Sequence, residues 1–185
     1  FDKTLISTID NGNFTYGQVW SNAELISDNW KKKGAKHGDT IAFIINNNSS
    51  LLVSYIACAI AGFVANPINP TLDIKIIESI LELTQPTIVL RKPLILRKNL
   101  KFDSNNIIIK SNGDTSFFIL STSGTTGEPK GICLSLRSII GSAKNFADLS
   151  CMNKNTSMYH VLPMCYMAGF LNTFFAPILV GGQVI

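Results

Sequence analysis

Residues 40–65 read TIAFIINNNSSLLVSYIACAIAGFVA. Thr40–Ile45 is a short apolar, partly β-branched run of the kind that forms a buried strand. Ser49 or Ser50 is placed to cap a helix carrying Leu51 to Ala61, and Phe63–Ala65 reads as a second strand ended by Pro67 and Pro70. The pattern then repeats. Asp73 to Leu83 predicts a helix with Ile76, Ile77, Ile80 and Leu83 on one face, and Thr87–Leu90 a third strand. Strands alternating with helices argue for an α/β fold, layered, with a mostly parallel sheet flanked by helices.

Working outward toward the N-terminus, Thr15 with Gln18 three residues on makes a capping box. Val19, Ala23, Ile26 and Trp30 then recur at helical spacing, and Gly34 closes the helix in a left-handed conformation. Toward the C-terminus, residues 91–106 carry mixed charge and no clean period, and read as a connection. Ile107–Lys110 and Phe117–Leu120 are strand candidates. A helix over Ser138–Leu149, a strand near Met158–Leu162, an apolar helix over about Gly169–Leu179 and the start of a strand at Gln183–Ile185 follow. A chain that stops inside a strand, without an initiator Met, is expected to be part of a larger protein.

Composition narrows the function classes. The chain has 185 residues, 46% hydrophobic and 15% charged, which is apolar enough for a sizeable core. Its net charge of +4 is mild, and the run Lys31–Lys33 suits the last turn of a helix. No basic stripe with interleaved aromatics follows, so no nucleic-acid partner is expected. The longest apolar stretch, Leu51 to Ala65, is shorter than the roughly 20 residues of a bilayer span, and no secretory signal opens the sequence. Cys58, Cys133, Cys151 and Cys165 have no C-x-x-C spacing, which argues against zinc; Cys58 and Cys133 read as small core residues. Reduced thiols fit a cytoplasmic protein. His37 and His160 are too far apart for a ligand set and read as structural, so no metal-ligating residues are assigned.

The chemistry concentrates in Ser121-Thr122-Ser123-Gly124-Thr125-Thr126-Gly127-Glu128-Pro129-Lys130-Gly131, with five hydroxyls, three glycines and one lysine in eleven positions. It lies between apolar Phe117–Leu120 and Ile132–Leu134, where a flexible linker would be out of place. Glycines let backbone N–H groups turn toward an anion, hydroxyls donate to phosphate oxygens, and Lys130 adds a point charge. The composition suits a polyphosphate. No Ser or Thr follows Lys130, so this is not a Walker A loop, and no third glycine completes a dinucleotide fingerprint. The loop is expected to project from a strand's carboxyl end, where open α/β sheets bind ligands. Without an anion it is expected to be among the more mobile segments.

Ser121–Gly131 closely resembles the signature loop of the adenylate-forming (AMP-binding) superfamily, which contains acyl-CoA synthetases, luciferases and the adenylation domains of peptide synthetases. Phe14-Thr15-Tyr16, the segment Ala61–Pro70, the segment Leu162–Phe170 and Pro177–Gly182 resemble further family segments in the same order, so the resemblance spans nearly the whole chain. It implies that residues 1–185 are the N-terminal portion of such an enzyme, with the remainder and a C-terminal lid domain absent. It also implies a two-step reaction. A carboxylic acid attacks the α-phosphate of ATP to give an acyl-adenylate and pyrophosphate, and a thiol, coenzyme A or a phosphopantetheine carrier, then takes the acyl group.

Carried over residue by residue, Thr122, Ser123, Gly124, Thr125, Thr126, Gly127 and Lys130 would contact the β- and γ-phosphates, with Lys130 as the catalytic residue and magnesium accompanying the nucleotide. Tyr166 stands where the family often has His, near the acyl substrate; simple packing is its other reading. The 185 residues alone are expected to be inactive. The resemblance leaves two alternatives open: an adenylation domain that loads an acyl or peptidyl carrier protein, and a non-catalytic ligase-like binding module. Phe170, Phe174 and Phe175 sit at helical spacing and read as core.

Overall fold

The computed structural model describes residues 1–9, 11–103, 113–123 and 129–185. The strand expected over residues 107–110 lies outside that range. Two sheets form. The larger has five strands in the order β5-β3-β4-β6-β7, comprising β3 (Thr40–Phe43), β4 (Val64–Pro67), β5 (Ile88–Leu90), β6 (Ser116–Ser123) and β7 (Pro129–Ser135). Its β5–β3, β3–β4 and β4–β6 pairings are parallel, as the strand–helix alternation predicts, and β7 folds back antiparallel on β6.

Helices cover both faces. The period of two in β3 divides its side chains: Ile41 and Phe43 enter the main core, while Ala42 and Ile44 face the other way onto Ile77 and Ile80. Those two isoleucines belong to α3 (Ile74–Thr84), capped by the Asp73 carboxylate. The expected apolar face of α3 is narrower than predicted. Ile76 and Leu83 are 43% and 53% exposed. The main core lies between the sheet and α1 (Tyr16–Lys32), α2 (Ser49–Ala61) and α4 (Leu136–Leu149). The capping box at Thr15 and Gln18 is formed as read.

The cap of α2 differs from expectation. Asn48 fills it, its side chain accepting from the Leu51 N–H, which moves Ser49 into the helix. α2 ends at Gly62, whose φ of +74° is left-handed; a Cβ there would also strike the His37 ring, so only glycine fits. Cys58 is buried as expected, but Cys133 is exposed because β7 is the edge strand of its sheet.

The second sheet was not foreseen. It orders as β2-β1-β9-β8, from β1 (Thr4–Thr8), β2 (Gly12–Thr15), β8 (Ser157–Met158) and β9 (Gln183–Val184). β1 and β2 form a hairpin, while β9 runs parallel to β1 and β8. The Tyr16 hydroxyl donates to the Gly182 carbonyl at 2.7 Å and ties α1 to this sheet. The strand expected over Met158–Leu162 is confined to Ser157–Met158.

Between β8 and β9 the apolar helix forms as a π-helical segment, Ala168–Phe175, followed by α5 (Ala176–Leu179). Gly169 is required there, because a Cβ would lie 2.2 Å from the Pro163 carbonyl oxygen. Phe170 and Phe174 are fully buried, as their spacing predicts, and meet Tyr55 at ring-centroid distances of 5.1 and 6.2 Å.

Candidate functional site

Because β3, β4 and β6 run parallel, their carboxyl ends share one rim of the sheet. A cleft of about 190 Å³ opens there. The end of β4 contributes Pro67 and the following Ile68 and Asn69. Leu72, Ile76 and Ile80, on α3 and the turn before it, give the cleft an apolar side. The β6–β7 hairpin contributes Ser121, Thr122 and Pro129, and the segment before the π-helical stretch contributes Cys165 and Tyr166. The arms of the Ser121–Gly131 loop, the Ala61–Pro70 segment and the Leu162–Phe170 segment, far apart in sequence, therefore meet at one place.

Gly124, Thr125, Thr126 and Gly127 lie outside the described residues, and with them the expectation of a mobile loop. The two arms of the loop are in place. β6 runs through Ser123, and β7 begins at Pro129. Thr122 pairs directly with Lys130, and cross-strand partners project to the same face of a hairpin. Lys130 is thus in a strand rather than in the loop itself, exposed, and on the face of the hairpin that carries Thr122. Neither ion pair among the described residues, Lys31–Asp28 or Arg137–Asp114, involves it. The Ser121 hydroxyl is buried in the cleft wall without a hydrogen-bond partner. A buried polar atom left unpaired calls for a ligand or water. Thr122 and Lys130, one register position on, project to the opposite face of the hairpin from Ser121.

Tyr166 is 47% exposed at the edge of the cleft, and its hydroxyl receives a hydrogen bond of 2.9 Å from Asn69 Nδ2. The segment carrying it is held from beneath. Asn47 donates to the Leu162 carbonyl at 2.8 Å and accepts from the Met164 N–H at 2.9 Å. Tyr55, fully buried, donates to the Met164 carbonyl at 3.2 Å. Burial pushes the Tyr55 hydroxyl well above its ordinary pKa and the Cys165 thiol above its own. Both therefore stay protonated at neutral pH. Sequence reasoning missed Asn47 and Asn69. The run Asn46–Asn48 directly after a strand and the Asn69-Pro70 pair were the available signals, since Asn there serves turns and caps.

His160 is partly buried, with Nδ1 2.9 Å from Thr173 Oγ1, in keeping with a structural role. Among the described residues no group of three or more His, Cys, Asp or Glu side chains could hold a metal ion, and no helix is long and apolar enough to cross a membrane.

A largely parallel sheet with helices on both faces and a cleft at its carboxyl rim is an arrangement in which open α/β folds bind ligands. The chain belongs to the AMP-binding enzyme family, whose profile matches residues 2–185. Among curated relatives, it is 24% identical to the sulfoacetate–CoA ligase of Cupriavidus necator, over all of this chain and 42% of that protein. It is 26% identical to the anthranilate–CoA ligase of Pseudomonas aeruginosa, over 81% of this chain and 34% of that protein. It is 24% identical to gramicidin S synthase 2 of Brevibacillus brevis, over 92% of this chain and 4% of that one.

The fold superposes on apo MatB from Rhodopseudomonas palustris with a TM-score of 0.86 at 18% identity, covering all of this chain and 42% of that one. A fatty acyl-adenylate ligase from L. pneumophila, solved with acyl adenylate and pyrophosphate, gives 0.82 at 24% identity, covering all of this chain and 36% of that one. The chain thus spans less than half the length of these curated relatives.

Proposed function

We propose that this protein serves ATP-dependent activation of a carboxylic acid as an acyl-adenylate, with release of pyrophosphate and transfer of the acyl group to a thiol. The observation that carries the reading is the convergence of the β6–β7 hairpin, the end of β4 and Tyr166 on one cleft in a chain of the AMP-binding family. Thr122, Ser123 and Lys130, with Gly124, Thr125, Thr126 and Gly127 of the loop, would hold the β- and γ-phosphates of ATP. Lys130 would offset the charge that gathers on departing pyrophosphate. Magnesium would arrive with the nucleotide, held largely by its phosphates. Tyr166 and the apolar side made by Leu72, Ile76 and Ile80 would face the acid.

Coenzyme A is the acceptor favoured by the similarity to CoA ligases; the similarity to a peptide synthetase supports a carrier protein as the second reading. The matched residues would be the N-terminal portion of the catalytic unit, and on their own would show little exchange.

The test is ATP–pyrophosphate exchange by the full-length protein. A charge-assisted contact contributes about 1.5–3 kcal/mol, so Lys130→Ala should slow exchange roughly ten- to a hundredfold. Its melting temperature should hold, because the side chain is exposed. Unchanged exchange removes Lys130 from the mechanism. Exchange absent from the unsubstituted full-length protein would favour a non-catalytic binding module.

A further inference from the structure

The hydrogen bond between Asn69 and Tyr166 has a fixed direction, and that direction limits what the cleft can bind. Asn69 Oδ1 accepts from the Thr71 backbone N–H at 3.0 Å and from Thr71 Oγ1 at 2.9 Å. A backbone N–H can only donate, so the atom facing it must be the amide oxygen. The amide nitrogen is thereby turned toward Tyr166, 2.9 Å away. An NH₂ group only donates, so the phenol oxygen must accept. The single hydroxyl proton of Tyr166 cannot be spent on Asn69. It remains available on a residue that lines the cleft between the hairpin and the apolar side of α3.

We infer that Asn69 is a positioning residue, which locks the Tyr166 hydroxyl as a hydrogen-bond donor into the cleft, and that its acceptor is a carboxylate oxygen of the acid substrate. This rests on the carboxylate-activating reading and adds to it a specific contact. The Asx turn at Asn69–Thr71 sets the amide, the amide sets the phenol, and the phenol selects for an acceptor. The backbone bearing Tyr166 is independently pinned by Asn47 and Tyr55, so the hydroxyl has little freedom to seek another geometry. Histidine at this position would leave the outcome to its tautomer and charge, whereas tyrosine held this way offers one neutral donor.

The test uses the full-length protein with acetate, hexanoate and benzoate as separate probe acids in ATP–pyrophosphate exchange. Loss of one hydrogen bond to a charged group should raise the KM for the acid roughly tenfold or more in Tyr166→Phe. The KM for ATP should stay within about twofold, since sites that do not touch each other vary independently. Asn69→Ala should raise the acid KM several-fold in the unsubstituted protein but by no more than about twofold in the Tyr166→Phe background, because it acts through the hydroxyl.

Thermal melts accompany each variant. If Asn69→Ala melts several degrees lower, Asn69→Asp replaces it. The carboxylate still accepts from Thr71 but can only accept from Tyr166, drawing the proton away, and its effect must again be larger with the phenol present than without it. An unchanged acid KM in Tyr166→Phe beside a slowed Lys130→Ala overturns this inference alone. An equal cost of the Asn69 change in both backgrounds does the same. Exchange with none of the probes overturns the activation reading and this inference with it.

Discussion

Tyr55 and Tyr166 belong to two neighbouring regions that treat the same side chain in opposite ways. Tyr55 sits at 0% exposure in an aromatic cluster, edge-on to Phe43 and Phe170 at 5.6 and 5.1 Å, and donates its hydroxyl hydrogen bond to the Met164 carbonyl. Tyr166, two residues beyond Met164, stands half-exposed at the cleft, and its hydroxyl accepts a hydrogen bond from Asn69. In the cluster the hydroxyl is committed to a buried carbonyl and the ring packs against four phenylalanines. At the cleft the packing is slight, and the polar group keeps its proton for something else. The comparison teaches that the core holds the chain segment from below, leaving its upper side free for recognition.

Truncating the ring should break the comparison most strongly. Tyr55→Ala removes a fully buried aromatic from contact with Phe118, Phe170 and Phe174, and should cost about 3–5 kcal/mol in a urea or thermal unfolding series. A loss below about 1 kcal/mol would mean that the cluster is not a keystone of the core. The same conservative change at both sites sharpens the contrast. Tyr55→Phe leaves the Met164 carbonyl without its buried donor and should cost about 1–2 kcal/mol. Tyr166→Phe should stay within about 0.5 kcal/mol, as exposed positions do. Equal costs would erase the distinction between the two regions.

The smallest effect concerns pH. His160 borders the same segment, and burial holds its pKa below the ordinary value of 6.5, only partly opposed by its hydrogen bond with Thr173. Its Nε2 is buried without a partner. Below pH 6.5 the unfolded chain takes up a proton that the folded one resists, so stability present above that pH is lost progressively as pH falls toward the lower folded-state pKa. Unfolding midpoints measured between pH 7.5 and 5 should therefore decline more steeply for the native chain than for His160→Asn. Parallel slopes would remove His160 from the acid response.

The difference between the regions also marks what could be read in the sequence. Periodicity made the α1 capping box, the strand–helix alternation from Thr40 to Leu90 and the burial of Phe170 and Phe174 legible, because each depends on neighbours within a few residues. The composition of Ser121–Gly131 marked a loop between two apolar segments, and β6 and β7 are the strands on either side of it. Asn69 and Tyr166 are 97 residues apart, and no local pattern announces their bond. Cys133 was misread because apolar neighbours do not reveal that a strand will lie at a sheet edge. The Asn48 cap was one residue off, since Asn and Ser serve that position equally well. The β1–β2 hairpin does carry a local signal, since Asn11-Gly12 after an apolar run favours a turn.

The parallel pairing of β1 with β9 has a consequence in time. Ile6 sits opposite Val184, and the Lys3 ammonium donates to the Gly181 carbonyl, a separation of 178 residues. On a ribosome adding 5–20 residues per second, β1 must wait roughly ten to forty seconds for its partner strand to be synthesised. A two-stranded hairpin is marginal alone in water. Leu5 and Ile6, both fully buried at the end, spend that interval with little to cover them. β1 thus leaves the ribosome long before β9, and through that interval it is a segment that a holding chaperone would cover.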